Sequence, residues 1–169
     1  DDRGREYLDF CAGIATCSIG HCHPALSKAI ADQAQTLMHC SNLYAGDNQA
    51  DLAELLVEGI IGEPGKVFFS NSGAEANDGL IKLARRFGAE SERHEIITFS
   101  KGFHGRTIGA MSATAQGKIH GGFGPLFPGF VYSDFNDLAA AKAAITDKTA
   151  AFLVEPIQGE GGVNVATKE

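Results

Sequence analysis

From Lys66 onward, short apolar runs alternate with longer segments of helical periodicity, and this alternation restricts the folds open to the chain. The apolar runs predict four strands, at 66–70, 95–99, 130–132 and 149–154. The segments between them predict helices at 75–87, 107–115 and 137–145. Strands that alternate with helices in this way are typical of an α/β domain, with a mainly parallel sheet flanked by helices.

The residues before this pattern predict a separate, small N-terminal region. It contains a short strand at 7–10, a connection rich in small residues, and helices at 24–38 and 49–60. Glu63, Pro64 and Gly65 form a turn after the second helix. We therefore divide the chain into an N-terminal segment, 1–62, and the first, incomplete part of an α/β large domain, 63–169.

Composition and charge limit the partners of the chain. Its 21 acidic residues outnumber 14 basic ones, for a formal charge of -7, which argues against nucleic acid as a partner. No apolar stretch approaches the ~18 residues that cross a bilayer, and the first residues do not resemble a signal peptide. A soluble protein of the cytoplasm, without a membrane partner, is the expectation.

The four cysteines all lie in the first quarter of the sequence, beside three histidines. Thiolates and imidazoles are zinc ligands, so a metal site is one interpretation. The spacing argues against it, because there is no C-x-x-C pair and His23 is followed at once by Pro24. Small buried cysteines, kept reduced by the compartment, are the preferred interpretation, with no metal.

The segment 70–75 joins the first α/β strand to a helix through a tight turn. Ser72 and Glu75 have the S-x-x-E spacing of a capping box. The free N–H groups and the dipole of such a helix start attract an anion, and Gly73 lets the anion approach the backbone closely. An ordinary capped helix that binds nothing has the same pattern. A P-loop or a dinucleotide-binding loop is not the explanation, because neither glycine spacing occurs.

Two further polar segments follow strands, where α/β sheets place their ligands. Phe103, His104 and Arg106 could supply an aromatic surface, a hydrogen bond and a carboxylate fork, although a plain surface loop is equally compatible. Glu155 ends an apolar run, where a carboxylate needs a partner. Glu160 lies in a glycine-rich loop and by itself indicates an exposed position.

Taken in order, these motifs resemble the class III (ω-amino acid) aminotransferases, which have pyridoxal-phosphate (PLP) fold type I. The motifs occupy 71–77, 103–107 and 155–162, and the segments 8–10, 20–24 and 41–44 are also similar to that class. The resemblance covers essentially the whole chain. Within the class, 123–126, 135–138 and 145–151 are most similar to the acetylornithine aminotransferases.

The resemblance implies five cofactor-binding residues, and the cofactor is pyridoxal 5'-phosphate. Ser72, Gly73 and Ala74 match the positions that hold the phosphate, which agrees with the helix-start argument. Phe103 matches the aromatic residue that stacks on the pyridine ring, and His104 lies beside it.

The resemblance also implies substrate-binding and catalytic residues. Arg106 matches the arginine that holds the substrate α-carboxylate. Glu155 matches a carboxylate near the cofactor, and Glu160 matches a glutamate that pairs with a later arginine and releases it when a dicarboxylate binds. Cys17 departs from the class, which more often has Asn there, and this leaves the N-terminal substrate contact open.

The implied activity is transfer of the ω-amino group of N-acetylornithine to 2-oxoglutarate in arginine biosynthesis, by a homodimer. Succinylornithine, ornithine or 4-aminobutyrate is the alternative donor within the class, and a truncated, non-catalytic module is the alternative outside it. Members of the class are much longer, and their cofactor-binding lysine would follow Glu169. The 169 residues by themselves are therefore expected to be inactive.

Overall fold

The computed structural model describes residues 1–168 and divides the chain into two compact units. The first unit is Asp1–Lys66 and the second is Val67–Glu169, so the division lies close to the boundary predicted after residue 62. Among the helices of residues 1–168, none has the length and apolar composition that crossing a bilayer requires.

The first unit consists of helices joined by irregular segments. Its helices are α1 (Ala12–Ala15), α2 (Pro24–Thr36) and α3 (Asp47–Leu56), and a π-helical turn, Val57–Ile61, extends α3. Pro24 lies in the first turn of α2, where its missing N–H leaves no helix bond unmade. Gly62 ends the π-helical turn with a φ of +69°. The two predicted helices are confirmed, with ends that differ by a few residues.

The strand predicted at 7–10 is wrong. Asp9 Oδ1 accepts hydrogen bonds from the backbone N–H groups of Cys11 and Ala12, both at 2.9 Å, and Asp9 Oδ2 lies 2.8 Å from His21 Nε2. A side chain that bonds the backbone just after it favours a turn over a strand ladder. Within residues 1–168, no strand pairs with this segment.

A three-stranded parallel sheet forms the centre of the second unit, in the order β2-β1-β3. The strands are β1 (Glu95–Phe99), β2 (Phe130–Ser133) and β3 (Thr149–Phe152). Ile96 is paired with Phe130 on one side and Ala151 on the other. These pairings confirm the predicted α/β class with a parallel sheet. A short antiparallel pair, β4 (Ile157–Gln158) with β5 (Asn164–Val165), was not predicted.

The second unit also contains four α-helices in its described part: α4 (Gly73–Gly88), α5 (Ile108–Ala113), α6 (Gly117–His120) and α7 (Leu138–Ala143). A 3-10 turn, Ala89–Ser91, follows α4. The three predicted helices are confirmed, and α6 lies in a stretch expected to be loop. Ile81 of α4, Ile96 of β1 and Ala113 of α5 form the buried core. Burying an isoleucine side chain contributes roughly 1.5–3 kcal/mol, so this cluster anchors both helices to the sheet.

The strand predicted at 66–70 is also wrong, because the segment has no regular secondary structure. In residues 1–168 no strand lies beside it to form a ladder. Phe68 instead rests against α4, where its Cε1 lies 3.0 Å from the position that a Cβ on Gly79 would occupy. The apolar run 67–69 is typical of a buried strand, but a strand also requires hydrogen-bonded neighbours.

Candidate functional site

The start of helix α4 leaves backbone donors free for an anion. Ser72 Oγ accepts from the N–H of Glu75 at 3.2 Å, and the carbonyl of Ser72 accepts from the N–H of Ala76 at 3.0 Å. The N–H groups of Gly73 and Ala74 therefore remain at the open end of the helix. Space is open at Gly73, since no atom lies within 4 Å of where its Cβ would be.

The capping box differs from the prediction in one respect. Ser72 caps the helix as expected, but the carboxylate of Glu75 reaches past Ser72 to Asn71. Glu75 Oε2 accepts from the backbone N–H of Asn71 at 2.7 Å and from its side-chain Nδ2 at 3.0 Å. The turn before the helix is therefore held by the glutamate, and the Ser72 N–H is not used by this carboxylate.

The loop after β1 carries three of the predicted site residues and is fixed at His104. The His104 N–H donates to Thr114 Oγ1 at 2.9 Å, and its carbonyl accepts from Asn77 Nδ2 at 2.7 Å. Asn77 belongs to α4, so the helix that offers the anion site also positions this loop. Gly105 then packs directly against Ala74, with a φ of +128°. The predicted phosphate-binding and ring-binding residues are thus brought together.

The segment after β3 closes on the same loop. Glu155 Oε2 accepts from the backbone N–H of Phe103 at 2.9 Å. Gln158, which is buried, donates from Nε2 to the carbonyl of Ser100 at 3.0 Å. Gly161 approaches the Lys101 carbonyl so closely that a Cβ would collide with it. Glu155 therefore has the partner that its position required, and that partner is a backbone donor.

A buried imidazole and a half-buried carboxylate share the space beside Gly102. His104 Nε2 lies 3.3 Å, and Glu155 Oε2 3.2 Å, from the position that a Cβ on Gly102 would occupy. His104 is 5% exposed, and its Nε2 has no hydrogen-bond partner within the described chain. Burial lowers the pKa of His104 below its ordinary value of 6.5, so the neutral ring is favoured.

Burial also shifts Glu155, in the opposite direction. It raises the pKa of this carboxyl above its ordinary value of 4.5, the N–H of Phe103 lowers the pKa, and the charge of Glu160 raises it again. The net shift is upward. Because the folded protein holds this proton more tightly than the unfolded chain, ionising Glu155 costs stability as pH rises above 4.5.

We therefore expect Glu155→Gln to raise the free energy of unfolding at pH 7, because the amide keeps an acceptor for the Phe103 N–H without a buried charge. The gain should shrink as pH falls below 4.5, where the wild-type carboxyl is protonated in both states. Denaturant unfolding of both proteins between pH 4 and 8 measures the difference. A gain of the same size at every pH would show that charge is not its cause.

The two remaining predicted residues, Arg106 and Glu160, are exposed. Arg106 takes part in none of the four ion pairs among residues 1–168. Glu160 Oε2 accepts from Gln116 Nε2 at 2.8 Å, and its Oε1 lies 3.7 Å from Lys118 Nζ. The structure thus links Glu160 to the Phe103 loop through Gln116 and leaves the guanidinium of Arg106 open to solvent.

Four residues that hold this site together were not predicted for that purpose: Asn77, Thr114, Gln116 and Gln158. Asn77 and Gln158 lie inside the recognised motifs, so their presence there was a usable signal. Thr114 lies near the end of the helix predicted at 107–115 and Gln116 just beyond it, and no local pattern marks either residue for this role. No group of three or more His, Cys, Asp and Glu side chains within residues 1–168 is placed to hold a metal ion.

Comparison with known proteins identifies the family. The sequence pattern of the family described as Aminotransferase class-III matches residues 1–169. The chain therefore belongs to the class III aminotransferases. The acetylornithine aminotransferase of Caldanaerobacter subterraneus is 54% identical over an alignment of 172 positions, which covers 100% of this chain and 43% of that protein. The acetylornithine aminotransferase of Methanocaldococcus jannaschii is 51% identical, with the same coverage.

Solved structures show the same fold. The ornithine aminotransferase of Toxoplasma gondii, whose active site holds PLP at partial occupancy, matches with a TM-score of 0.90 and 37% identity, over 98% of this chain and 40% of that one. An ω-transaminase of Thermomicrobium roseum matches with a TM-score of 0.89 and 30% identity, over 97% and 42%. The chain thus spans about two fifths of the length of these relatives.

Proposed function

We propose that the complete protein is a PLP-dependent aminotransferase that moves the ω-amino group of N-acetylornithine to 2-oxoglutarate, in arginine biosynthesis. One observation supports the proposal most directly: Gly105 packs on Ala74 and so joins an open helix start to a loop with an aromatic ring, a buried imidazole and an exposed guanidinium. The names of the curated relatives support the choice of acetylornithine.

The residues fit PLP as a cofactor. Its phosphate is an anion, and the free N–H groups of Gly73 and Ala74, with Ser72 beside them, offer donors at a helix start where space is open. Phe103 offers an aromatic face for the ring. His104 Nε2 is a buried polar atom that lacks a partner within the described residues. When bound, PLP supplies the electron sink for the amino-transfer chemistry, and the protein binds and orients it.

The protein's own residues would then select and hold the substrate. Arg106 is exposed and free of ion pairs in the described chain, so its planar guanidinium can bind an α-carboxylate through two parallel N–H bonds. Glu155 fixes the Phe103 backbone and hence the aromatic ring. Glu160 adds a negative charge near the same loop, and this charge would affect the binding of an acidic substrate.

A homodimer in the cytoplasm is part of the same proposal. All four cysteines are free thiols, which is compatible with a reducing compartment, but two are exposed and two partly exposed, so the prediction that they are buried is wrong. Ornithine is the second candidate donor, because the similar solved structure from Toxoplasma gondii is that of an ornithine aminotransferase.

The experiment compares four amino donors in the complete protein supplied with PLP: N-acetylornithine, succinylornithine, ornithine and 4-aminobutyrate, each with 2-oxoglutarate. We expect kcat/KM for N-acetylornithine to exceed that for ornithine by about tenfold or more, because an ammonium in place of the neutral acetamide leaves a charge to desolvate. Glutamate formation measures turnover. A preference for another donor would move the assignment within the class, and no turnover with any donor would favour a non-catalytic module.

A further inference from the structure

The side-chain amide of Gln116 connects two loops that are far apart in sequence. Its Nε2 donates to the carbonyl of Gly102 at 2.9 Å and to Glu160 Oε2 at 2.8 Å, with a longer contact of 3.4 Å to the carbonyl of Lys101. Gly102 and Glu160 lie 14 and 44 residues away from Gln116. An amide group has two hydrogens, so the two shorter bonds use both of them.

Gln116 is itself held in place. It is partly buried and occupies the N-cap position of the short helix α6 without a side-chain capping bond, and its backbone N–H donates to the carbonyl of Thr114 at 2.8 Å. Thr114 is buried, and its Oγ1 accepts from the His104 N–H. The amide therefore projects from a fixed part of the backbone, so that its two bonds define where Glu160 lies relative to the Phe103 loop.

The second partner of Glu160 is weaker. Lys118 Nζ lies 3.7 Å from Glu160 Oε1, and its side chain is 72% exposed. Exposed ion pairs of this kind contribute little to stability. The bond from Gln116 is the one that can orient the carboxylate, since 2.8 Å is a hydrogen-bond distance and 3.7 Å is too long for one.

We propose that Gln116 is a positioning residue that keeps the Glu160 carboxylate turned toward the Phe103 loop and so lets the site accept a dicarboxylate substrate. Without the bond to Gln116, the Glu160 carboxylate is free to approach a carboxylate of the substrate and repel it. This repulsion weakens the binding of a dianion such as 2-oxoglutarate more than the binding of an amino donor. This role rests on the proposed aminotransferase function. The bond between Gln116 and Glu160 can be tested without it.

The first test is a double-mutant cycle on stability in the complete protein. Gln116→Leu and Glu160→Met are made singly and together, and denaturant unfolding is measured, since methionine removes the acceptor that a glutamine at this position would keep. A direct bond predicts that the two substitutions are not additive. Gln116→Leu should raise the unfolding equilibrium constant by a factor roughly five times larger when Glu160 is present than when Glu160 is replaced. Additive effects would overturn the coupling. Gln116→Asn, which keeps the amide but shortens its reach, gives a milder variant if the Leu protein does not fold.

The second test separates the substrates. Gln116→Leu, or Gln116→Asn in its place, should lower kcat/KM for 2-oxoglutarate roughly fivefold and change it less than twofold for N-acetylornithine, about 1 kcal/mol of selective loss. The selective loss should vanish in the Glu160→Gln background, and Lys118→Met should change neither value more than twofold. Equal losses for both substrates, or a loss that persists without Glu160, would overturn the role. Absence of turnover in the unmodified protein refutes the proposed function instead, while the stability cycle still tests the bond.

Discussion

Gly105→Ala is expected to lower the free energy of unfolding by roughly 2–5 kcal/mol, the largest stability effect that the site predicts. The added Cβ would lie 2.6 Å from Ala74 Cβ, 2.7 Å from Ala74 Cα and 3.1 Å from Ala110 Cβ. A φ of +128° adds backbone strain, because residues with a side chain rarely adopt that value. Helix α4 and the Phe103 loop must therefore move apart, so PLP affinity should fall as well.

Gly121→Ala provides the matched control for this substitution. No atom lies within 4 Å of the position of its added Cβ, and its φ of -54° suits any residue. We expect its free energy of unfolding to stay within about 0.5 kcal/mol of the unmodified protein. Denaturant unfolding and a PLP titration of both variants compare the two positions. Equal, small effects would show that the contact between Gly105 and Ala74 does not hold the helix start and the loop together.

The predictions that succeeded concern elements whose structure is determined by neighbouring residues in the sequence. Ile96 and Ile97 are almost fully buried in β1, and this apolar pair led to the strand prediction. The spacing of Ser72 and Glu75 encodes a helix start within four residues, so the start of α4 was identified without any tertiary information.

The failures share a different cause. The segments 7–10 and 66–70 have strand-like composition, but a strand needs a partner, and a partner is a long-range property that local pattern does not contain. The same reasoning applies to Gln116, whose function depends on a carboxylate 44 residues further along the chain. Contacts between residues so far apart in the sequence form only when the parallel sheet has brought the ends of β1 and β3 side by side.

For His104, the sequence predicted the location but not the environment of the side chain. Its place beside Phe103 indicated only that it would lie near the cofactor. The structure adds that its backbone is fixed by Asn77 and Thr114, that burial favours the neutral ring by lowering its pKa, and that its Nε2 shares space with the Glu155 carboxylate. A neutral imidazole can donate or accept a hydrogen bond, and this suits a group that meets a ligand.

Arg106→Lys should reduce kcat/KM for N-acetylornithine by about 10- to 100-fold, although the positive charge is kept. A guanidinium presents two parallel N–H donors to a carboxylate, whereas the ammonium of lysine acts as a point charge and loses that fork. Hydrogen bonds to charged groups contribute roughly 1.5–3 kcal/mol each, and about 1.4 kcal/mol corresponds to a tenfold change. Loss of one such bond gives the expected range.

The exposure of Arg106 makes this prediction specific. Since no ion pair of the described residues involves Arg106, its replacement should cost little stability, and the effect should appear in substrate binding alone. A simple amine of similar length has no α-carboxylate, so its kcat/KM should fall much less than that of N-acetylornithine. The control is Arg86→Lys, because Arg86 is an exposed arginine of helix α4. This substitution should leave kcat/KM for both donors within about twofold. Equal losses for the two donors would assign Arg106 a structural role, because a residue that binds only the carboxylate cannot affect a substrate that lacks one.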